Sequence, residues 1–335
     1  MFGLGKNKKS SARGFAAVSI QPDGVAVACV DRSQDPPQLR LCRHYPVSAP
    51  TTLDEVLRTV AGERALADYP VSTVLGAEDF SLLLLEKPPV ADEELRGAVQ
   101  WKIRDLIDFP VEEAVIDVLA IPGGRSEMVY VVAARQDVVR AQIQRLEQAG
   151  FALEVVDIPE MAQRNLAGLL PEDEGGVAML SLRGGDGLFT ITRGGTLYLS
   201  RRLDTGLDAL LPGEGFEVSP GHEGGDEGEV LSLDVVSAEQ QQLLDGVVLE
   251  IQRSLDYYES HFGQPPVGTV VLGPTARSVT GLQDYLAANL AARVRGLDLA
   301  EVLEVPAEVD RTQQGRCLIA IGAALRVGGD AGDGS

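Results

Sequence analysis

The sequence predicts an α/β protein made of two similar domains. Each half opens with a strand, a tight turn and two further strands, and then continues with helices and strands; the openings are residues 14–45 and 177–203. A stretch rich in Pro, Gly and acidic residues separates the halves at 171–176. An apolar share of 44% and a charged share of 24% are ordinary for a globular chain. We therefore expect a fold that arose by duplication of one α/β unit.

The first domain is predicted to span residues 14–171. Its opening hairpin turns at residues 22–24, where Pro-Asp-Gly is a strong turn signal. A capping box formed by Thr52 and Glu55 predicts the start of a helix. Apolar periodicity predicts the later elements: strands at 71–75 and 81–85, a helix at 93–109, an extended segment at 111–120, a strand at 128–134, a helix at 137–148, a strand at 152–157 and a helix at 158–170.

The second domain is predicted to span residues 176–327. Its three opening strands are joined by glycine-rich turns. Ser237 and Gln240 form a second capping box, and Gly263 ends the long helix that this box begins. The remaining predicted elements are a strand at 267–272, a helix at 281–290 and an apolar helix at 317–327.

Three segments are expected to be flexible. Residues 212–234 hold seven acidic residues and no Lys or Arg, which is typical of a solvated loop. Residues 328–335 are expected to form a loose tail. Residues 1–13 form a basic N-terminus that either contacts an anionic membrane surface or serves only as a solubilising tail; its charges are Lys6, Lys8, Lys9 and Arg13.

Composition excludes several classes of function. A net charge of −21 argues against nucleic acid as a ligand, because neutralising phosphates supplies most of that affinity. The cysteines and histidines lack the spacing of a zinc site, so no metal is expected and the thiols are expected to be reduced: Cys29, Cys42, Cys317, His44, His222 and His261. No apolar run approaches the roughly 18 residues of a membrane span, and no signal peptide is evident, so a cytoplasmic protein is expected.

The most informative segment is residues 93–119. Its predicted helix, capped by Asp92, carries an apolar stripe: Leu95, Val99, Ile103, Leu106 and Ile107. Trp101 lies off this stripe. Phe109 and Pro110 end the helix, because the residue before a proline avoids the helical conformation.

This segment resembles the signature of the PilM family, the actin-like cytoplasmic proteins of type IV pilus assembly. It is especially similar to the MshI proteins of mannose-sensitive haemagglutinin (MSHA) pilus biogenesis. The likeness covers the chain from about Gly14 to Arg326, through three further segments: 154–166 (EVVDIPEMAQRNL), 249–258 (LEIQRSLDYY) and 319–326 (IAIGAALR). It implies an actin-like fold, duplicated and ribonuclease H-like, with a small subdomain inserted at about residues 75–132.

The resemblance also locates two phosphate-binding turns, and both are degenerate. In actin-like ATPases an Asp-x-Gly element in each turn organises Mg²⁺ and lets backbone N–H groups approach the phosphates. In the first turn Ser19 takes the place of the aspartate, and Pro22 removes an N–H donor. Asp23 and Gly24 replace the motif only in a shifted register, and an ordinary β-turn also explains them.

The second turn and the adenosine turn depart from the family in the same way. Ser181 takes the place of the second acid, and Arg183 that of its glycine; arginine can meet a phosphate but cannot hold Mg²⁺. Pro274, Thr275 and Ala276 replace the glycines of the adenosine turn. The degenerate site also includes Gly184, Gly185, Asp186, Gly206 and Gly273. We therefore expect no ATPase activity and no bound cofactor.

The resemblance implies a non-catalytic adaptor of a pilus assembly platform, cytoplasmic and peripherally associated with the inner membrane. Such an adaptor binds the cytoplasmic N-terminal peptide of a bitopic, PilN-like inner-membrane protein, in a groove between the first subdomain and the inserted one. Trp101, Phe109 and Pro110 are the candidates for lining this groove. Packing of Trp101 on Phe109 is the alternative explanation for the tryptophan. Four glutamates either form an acidic rim beside them or only complement the helix dipole and are solvated, which is the favoured explanation for the first two: Glu93, Glu94, Glu112 and Glu113.

Other functions stay open at this stage. An ATP-dependent switch of the same fold would use Asp23 and Asp186 in shifted registers. An actin-like component of a type II secretion platform is a further alternative, although such components usually continue into a membrane span. A sugar kinase would need a catalytic aspartate in a sugar cleft, and no motif nominates one.

Overall fold

The computed structural model describes residues 2–3, 13–123, 127–211, 231–232, 237–277 and 279–327. The helices and strands of the first half are β1 (Phe2–Gly3), β2 (Ala16–Gln21), β3 (Gly24–Asp31), β4 (Gln38–Pro46), α1 (Leu53–Ala61), β5 (Val71–Val74), β6 (Phe80–Glu86), α2 (Asp92–Ile103), β7 (Ala114–Ile121), β8 (Met128–Arg135), α3 (Gln136–Ala149), β9 (Leu153–Asp157) and α4 (Pro159–Ala167). Those of the second half are β10 (Val177–Leu182), β11 (Gly187–Arg193), β12 (Thr196–Leu203), α5 (Leu207–Leu210), β13 (Leu231–Ser232), α6 (Ala238–Phe262), β14 (Thr269–Leu272), β15 (Val279–Thr280), α7 (Leu282–Asn289), β16 (Arg293–Gly296) and α8 (Arg311–Ala324).

The main sheets of the two halves have the same strand order. The first sheet runs β4-β3-β2-β5-β9, with β1 added at its edge, and the second runs β12-β11-β10-β14-β16. In each sheet an antiparallel meander of three strands is followed by two strands that run parallel to the first one. This repetition confirms the duplicated α/β architecture that the sequence predicts.

Both faces of the first sheet are covered. Successive residues of β2 and β3 point to opposite faces of the sheet, and nearly all of them are buried. Val18 and Val27 belong to the core cluster that includes residues of α1 and α3. Ala17, Ala26 and Ala28 point to the opposite face and share a second cluster with α8. Their small side chains allow α8 to lie close to the sheet.

The helices α4 and α8 are exchanged between the two halves. α4 ends the first half and packs on the second sheet, whereas α8 ends the second half and packs on the first sheet. The two helices also cross each other. A Cβ atom on Gly322 would lie 2.2 Å from the carbonyl oxygen of Ala162, and Asn165 Nδ2 donates a hydrogen bond of 2.9 Å to the oxygen of Gly322. The crossing therefore requires glycine at position 322.

A small subdomain is inserted between β5 and α3. It consists of a three-stranded antiparallel sheet, in the order β6-β8-β7, and of helix α2. Val99 and Ile103 of α2 pack on one face of this sheet, against Ile116, Val129 and Val131. The opposite face turns towards the second domain.

The start of α2 differs from the prediction. Ala91, not Asp92, is the N-cap residue, and it makes no side-chain capping bond. Asp92 lies in the first turn, where its carboxylate complements the helix dipole and forms an ion pair of 3.2 Å with Lys87.

The end of α2 also differs from the prediction. The helix stops at Ile103 instead of continuing to Phe109, and Leu106 is 53% exposed. Asp105 and Asp108 lie in the turns that follow, and aspartate side chains compete with the helical backbone for hydrogen bonds. The apolar stripe on the helix therefore ends at Ile103, whereas the apolar pattern in the sequence continues to Ile107.

The last helix begins earlier than predicted, at Arg311. Asp310 is its N-cap, and its carboxylate accepts a hydrogen bond of 2.7 Å from the backbone N–H of Gln313. The polar residues of the first turns interrupt the apolar pattern, so periodicity alone places the start too late. Strands β15 and β16 were also missed, because they are short and β16 contains two arginines.

Part of the expected flexible N-terminus is ordered against the first domain. Strand β1 pairs with β9, and Arg13 Nε donates a hydrogen bond of 3.3 Å to the buried carboxylate of Asp31. Arg13 is therefore engaged by the first domain and is not a free member of the basic cluster. The other predicted flexible positions lie outside the described residues: Lys6, Lys8, Lys9, residues 328–335 and most of 212–234. Within the described ranges, no helix has both the length and the apolar character needed to cross a bilayer.

Candidate functional site

The turn that the resemblance assigns to the first phosphate site joins β2 to β3. Ser19 is buried near the end of β2. Asp23 Oδ1 lies 3.3 Å from His44 Nε2, and this hydrogen bond lowers the pKa of the Asp23 carboxyl. Gly24 has no room for a side chain, because a Cβ atom would lie 2.2 Å from the carbonyl oxygen of Tyr45. Asp23 and Gly24 therefore make contacts within the first domain.

The second serine lies in a buried hydrogen-bond network. Ser181 Oγ donates a bond of 2.5 Å to Gln163 Oε1 on α4. Gln163 Nε2 in turn donates to the oxygen of Met179 and to Thr190 Oγ1, both at 2.9 Å. Both side chains are buried, so the position that the resemblance gives to a metal-binding carboxylate is used here to hold α4 on the second sheet.

The tip of the second turn is closed by an ion pair. Arg183 Nε donates a bond of 2.7 Å to Asp186 Oδ1, and the backbone N–H of Arg183 donates a bond of 2.8 Å to the oxygen of Asp186. The arginine and the carboxylate thus neutralise each other. Neither side chain therefore offers an unpaired charge to a ligand.

The start of α5 packs directly on this turn. A Cβ atom on Gly206 would lie 2.4 Å from the backbone nitrogen of Asp186. The backbone N–H of Asp208 donates a bond of 2.8 Å to the oxygen of Gly184. Gly185 has open space around it. Gly206 is therefore a close-packing glycine.

The third turn packs on α8. The N–H of Gly273 donates a bond of 2.8 Å to the oxygen of Leu180, and a Cβ atom on Gly273 would lie 2.8 Å from Leu318 Cδ2. A Cβ atom on Gly315 of α8 would lie 2.2 Å from the carbonyl carbon of Thr275. Helix α8 is therefore pressed against the backbone of the turn that the resemblance assigns to adenosine.

The predicted loop residues thus fall into separate local arrangements. Arg183, Gly184, Asp186 and Gly206 gather at the second turn, whereas Asp23 pairs with a histidine of its own domain. Gly273 and Thr275 contact α8. In the described part of the chain, no group of three or more His, Cys, Asp and Glu side chains is arranged to hold a metal ion.

The three cysteines are free and buried. Burial raises the pKa of the Cys29 thiol to about 12. A hydrogen bond with Cys42 and burial together raise the pKa of Cys317. The thiols of Cys29 and Cys317 therefore stay protonated at neutral pH and have little nucleophilic character.

The residues predicted to line a peptide groove lie on the outer side of the inserted subdomain. Trp101 is 76% exposed on α2. Phe109 lies beneath the guanidinium of Arg135, whose carbon is 5.9 Å from the ring centroid. Neither these aromatic residues nor Pro110 lines either of the two cavities described below. With so much of its surface exposed, Trp101 cannot be explained by packing on Phe109 alone.

The smaller cavity, of about 310 Å³, lies beside α3 and is here called the α3 groove. Its walls combine the first sheet, the start of the inserted subdomain and α3: Ile20, Val74, Gly76, Asp79, Val138, Ala141, Gln142 and Arg145. Gln142 Nε2 donates bonds of 2.9 Å to Thr73 Oγ1 and 3.0 Å to the oxygen of Val74, which fixes α3 to the sheet. The residues predicted to line a peptide groove, Trp101, Phe109 and Pro110, are not among these walls.

The larger cavity, of about 700 Å³, lies between the inserted sheet and the second domain and is here called the interlobe groove. It is lined by residues 80–82 of β6, Tyr130 of β8, Glu160 of α4, residues 199–202 of β12, and Tyr257 and His261 of α6. This groove was not predicted from the sequence. The adjacent arginines at 201 and 202, at the end of a predicted strand, were the available signal.

Charged and aromatic groups alternate around the interlobe groove. Arg202 Nη2 pairs with the buried Glu160 Oε1 at 2.9 Å, and its guanidinium carbon lies 4.4 Å from the centroid of the Phe80 ring. Arg201 lies over the ring of Tyr257, with its guanidinium carbon 5.7 Å from the centroid. The arrangement is therefore suited to recognition of a ligand.

Comparison with solved structures identifies the fold. The chain is similar to a PilM-PilN type IV pilus biogenesis complex, with a TM-score of 0.67 and 20% identity over 94% of this chain and 98% of that chain. Together with the repeated strand order, this likeness decides the architecture. The fold is actin-like.

Two more distant structures are also similar to this actin-like chain. One is the cytoplasmic domain of EpsL, an inner-membrane component of the type II secretion system of Vibrio cholerae, with a TM-score of 0.41 and 19% identity over 57% of this chain and 71% of that one. The other is a Bacteroides thetaiotaomicron protein with an actin-like ATPase fold and unknown function, with a TM-score of 0.46 and 9% identity over 93% and 100%. No protein-family model matches the chain, and no curated protein matches it either.

Proposed function

We propose that this protein is a non-catalytic, PilM-like adaptor of a type IV pilus assembly platform. The observation that carries the proposal is the likeness to the structure of a PilM-PilN complex, which extends over 94% of the chain. The resemblance of residues 93–119 supports the finer assignment to the MshI proteins of the MSHA pilus. In this role the protein is cytoplasmic and is held at the inner membrane by its partner.

The contacts of the degenerate turns support the absence of catalysis. Phosphoryl transfer needs a metal ion held by carboxylates close to the phosphates. Ser181 is bonded to Gln163, Asp186 is bonded to Arg183, and Asp23 is paired with His44. These contacts would have to break before the side chains could coordinate the Mg²⁺ ion of a bound nucleotide.

The partner in this proposal is a PilN-like, bitopic inner-membrane protein. Its cytoplasmic N-terminal peptide binds in the α3 groove, between the first sheet and the inserted subdomain. Ile20, Val74 and Val138 supply apolar walls, and Arg145 lies at the edge. A short extended segment with a few apolar side chains suits a cavity of this size.

The proposal is tested by measuring how a labelled peptide binds, using the N-terminal cytoplasmic segment of the source organism's PilN-like protein. Ala141 is exposed on α3 in the groove wall, so Ala141→Arg fills the groove without disturbing the core. We expect this variant to weaken binding at least about tenfold, which corresponds to about 1.4 kcal/mol. Trp101→Ala is the matched comparison, because Trp101 lies outside the groove.

The outcomes distinguish the two placements of the peptide. Loss of binding in Trp101→Ala with retention in Ala141→Arg would restore the outer face of α2 as the partner site. Binding that is unchanged in both variants would reject the adaptor site altogether. Tight binding of Mg-ATP in calorimetry, abolished by Asp186→Ala, would replace the adaptor with the nucleotide-dependent switch.

A further inference from the structure

The interlobe groove runs between two outermost strands. β6 is at the edge of the inserted sheet and pairs with β8 and with no other described strand. β12 is at the edge of the second sheet and pairs with β11. Consecutive residues of both strands line the cavity, and consecutive residues point to alternate faces, so the strand edges themselves form part of the wall.

One end of the β12 edge is already occupied. Tyr130 Oη donates a bond of 3.2 Å to the oxygen of Tyr198 and accepts a bond of 3.1 Å from the N–H of Ser200. A guest strand would therefore pair mainly with β6, which offers seven residues. Unpaired strand edges are templates for main-chain hydrogen bonds with an extended segment.

A free cation lies in the wall of the groove. Arg201 is exposed, stacks on Tyr257 and forms no ion pair with any described residue. Its neighbour Arg202 is different, because Glu160 neutralises it. In a protein with a net charge of −21, an unpaired arginine beside an open groove attracts an acidic group locally while the rest of the surface repels it.

A buried acceptor in the same wall also lacks a partner. Glu160 is 1% exposed, and its Oε2 atom accepts no hydrogen bond from the residues that the structure describes. Buried polar atoms are nearly always satisfied, so an N–H or hydroxyl donor is expected at this position.

We propose that the interlobe groove binds an extended, acidic peptide segment of a partner protein, paired with the edge of β6. An acidic side chain of the segment binds Arg201, and its apolar side chains pack on Phe80 and Tyr257. This site is separate from the α3 groove, and it does not depend on the pilus assignment.

The test uses fluorescence anisotropy with the full chain and two labelled hexapeptides. One alternates valine and glutamate, and the other alternates valine and lysine. We expect the glutamate peptide to bind about tenfold more tightly or better. The net negative charge of the protein would favour the lysine peptide. A preference for the glutamate peptide would therefore come from recognition in the groove and not from the net charge.

Charge reversal locates the site. Arg201→Glu is expected to reverse the preference, so that the lysine peptide binds more tightly. Arg253→Glu is the matched control, because Arg253 is an exposed arginine of α6 that does not line the groove, and it is expected to leave the preference unchanged. Circular dichroism of both variants checks that the fold is retained.

A third peptide tests the main-chain pairing. N-methylation of alternate residues removes half of the N–H donors and is expected to reduce the affinity of the glutamate peptide about tenfold. Equal affinity for the glutamate and lysine peptides, an unaltered preference in Arg201→Glu, or no binding of the glutamate peptide up to about 1 mM would each overturn the proposal. An N-methylated peptide that binds as well as its parent would overturn the strand pairing.

Discussion

At the scale of single residues, side chains at the degenerate site are held by internal hydrogen bonds. Gln163 is the central example, because its amide links α4 to three positions of the second sheet and accepts a bond from Ser181. Removing a buried amide with four hydrogen-bonding partners is expected to lower the free energy of unfolding, because each partner loses its bond in a place that water does not reach.

Gln163→Ala is expected to lower the free energy of unfolding by about 3 kcal/mol, because several buried polar groups lose their partner at once. Urea unfolding followed by circular dichroism measures the change. Gln100→Ala, at an exposed position of α2, is the control and should stay within about 0.5 kcal/mol of the parent protein. A loss below about 1 kcal/mol in Gln163→Ala would show that the network is weaker than its geometry indicates.

Asp31 is a second residue whose environment sets a measurable property. Burial raises the pKa of its carboxyl, but hydrogen bonds from Ser33, Tyr69 and Arg13 outweigh burial, and the pKa is lowered overall. Burial and the bond to Asp31 raise the pKa of Tyr69 to about 12. A depressed carboxyl pKa stabilises the folded state above the unfolded value of about 3.9, and this contribution is lost as the pH falls through the folded value.

Asp31→Asn is therefore expected to be less stable than the parent protein at pH 7, and the difference should shrink as the pH falls below about 4. Urea unfolding at a series of pH values checks this. The matched variant Asp35→Asn, at an exposed position of the loop after β3, is the control for removing a surface carboxylate. A constant deficit across the whole pH range would mean that the charge of Asp31 is not responsible.

At the scale of elements, helices α4 and α8 approach each other closely where they cross. Two helices whose backbones meet at Ala162 and Gly322 have no space for an added methyl group. Exchange of these helices between the sheets also explains why α8 contains several glycines and alanines. A surface helix is apolar along one stripe only. A helix that is enclosed on several sides must be apolar around more of its circumference.

Gly322→Ala is expected to destabilise the protein by about 2 kcal/mol or more, because the added Cβ would overlap the backbone of α4. Gly246→Ala is the matched control, since it also lies within a helix but has nothing within 4 Å of the added atom. That control should raise stability by about 0.5–1 kcal/mol, because alanine favours the helix over glycine. Thermal unfolding compares the two variants. Equal effects would mean that the helices separate readily.

At the scale of the whole molecule, neither half is complete without the other. The face of the first sheet formed by Ala17, Ala26 and Ala28 is covered by α8, which comes from the far end of the chain. The second sheet is covered by α4 in the same way. Ion pairs reinforce the junction, including Arg295 with Glu172 at 2.7 Å and Arg326 with the buried Asp157 at 3.3 Å.

A fragment of residues 13–171 is therefore expected not to fold, because it lacks α8 and exposes an apolar sheet face to water. The full chain, in contrast, is expected to unfold in one transition. Near-ultraviolet and far-ultraviolet circular dichroism should give coincident midpoints for the full chain and no cooperative transition for the fragment. A fragment that unfolds cooperatively would show that the exchanged helix is dispensable.

The strand patterns of the sequence predicted the duplicated α/β architecture, because such patterns are local properties, whereas the replacement of acids by Ser19 and Ser181 is implied only by the family resemblance. That resemblance also indicated a partner-binding role, although the structure puts Trp101 on the outer side of α2. The three-dimensional structure was needed to show that Ser181 is held by Gln163, that α8 covers the first sheet, and that β6 and β12 border a groove beside Arg201, which has no ion-pair partner among the described residues. These features join residues that are distant in the chain, and apolar periodicity reports only the neighbours along one element.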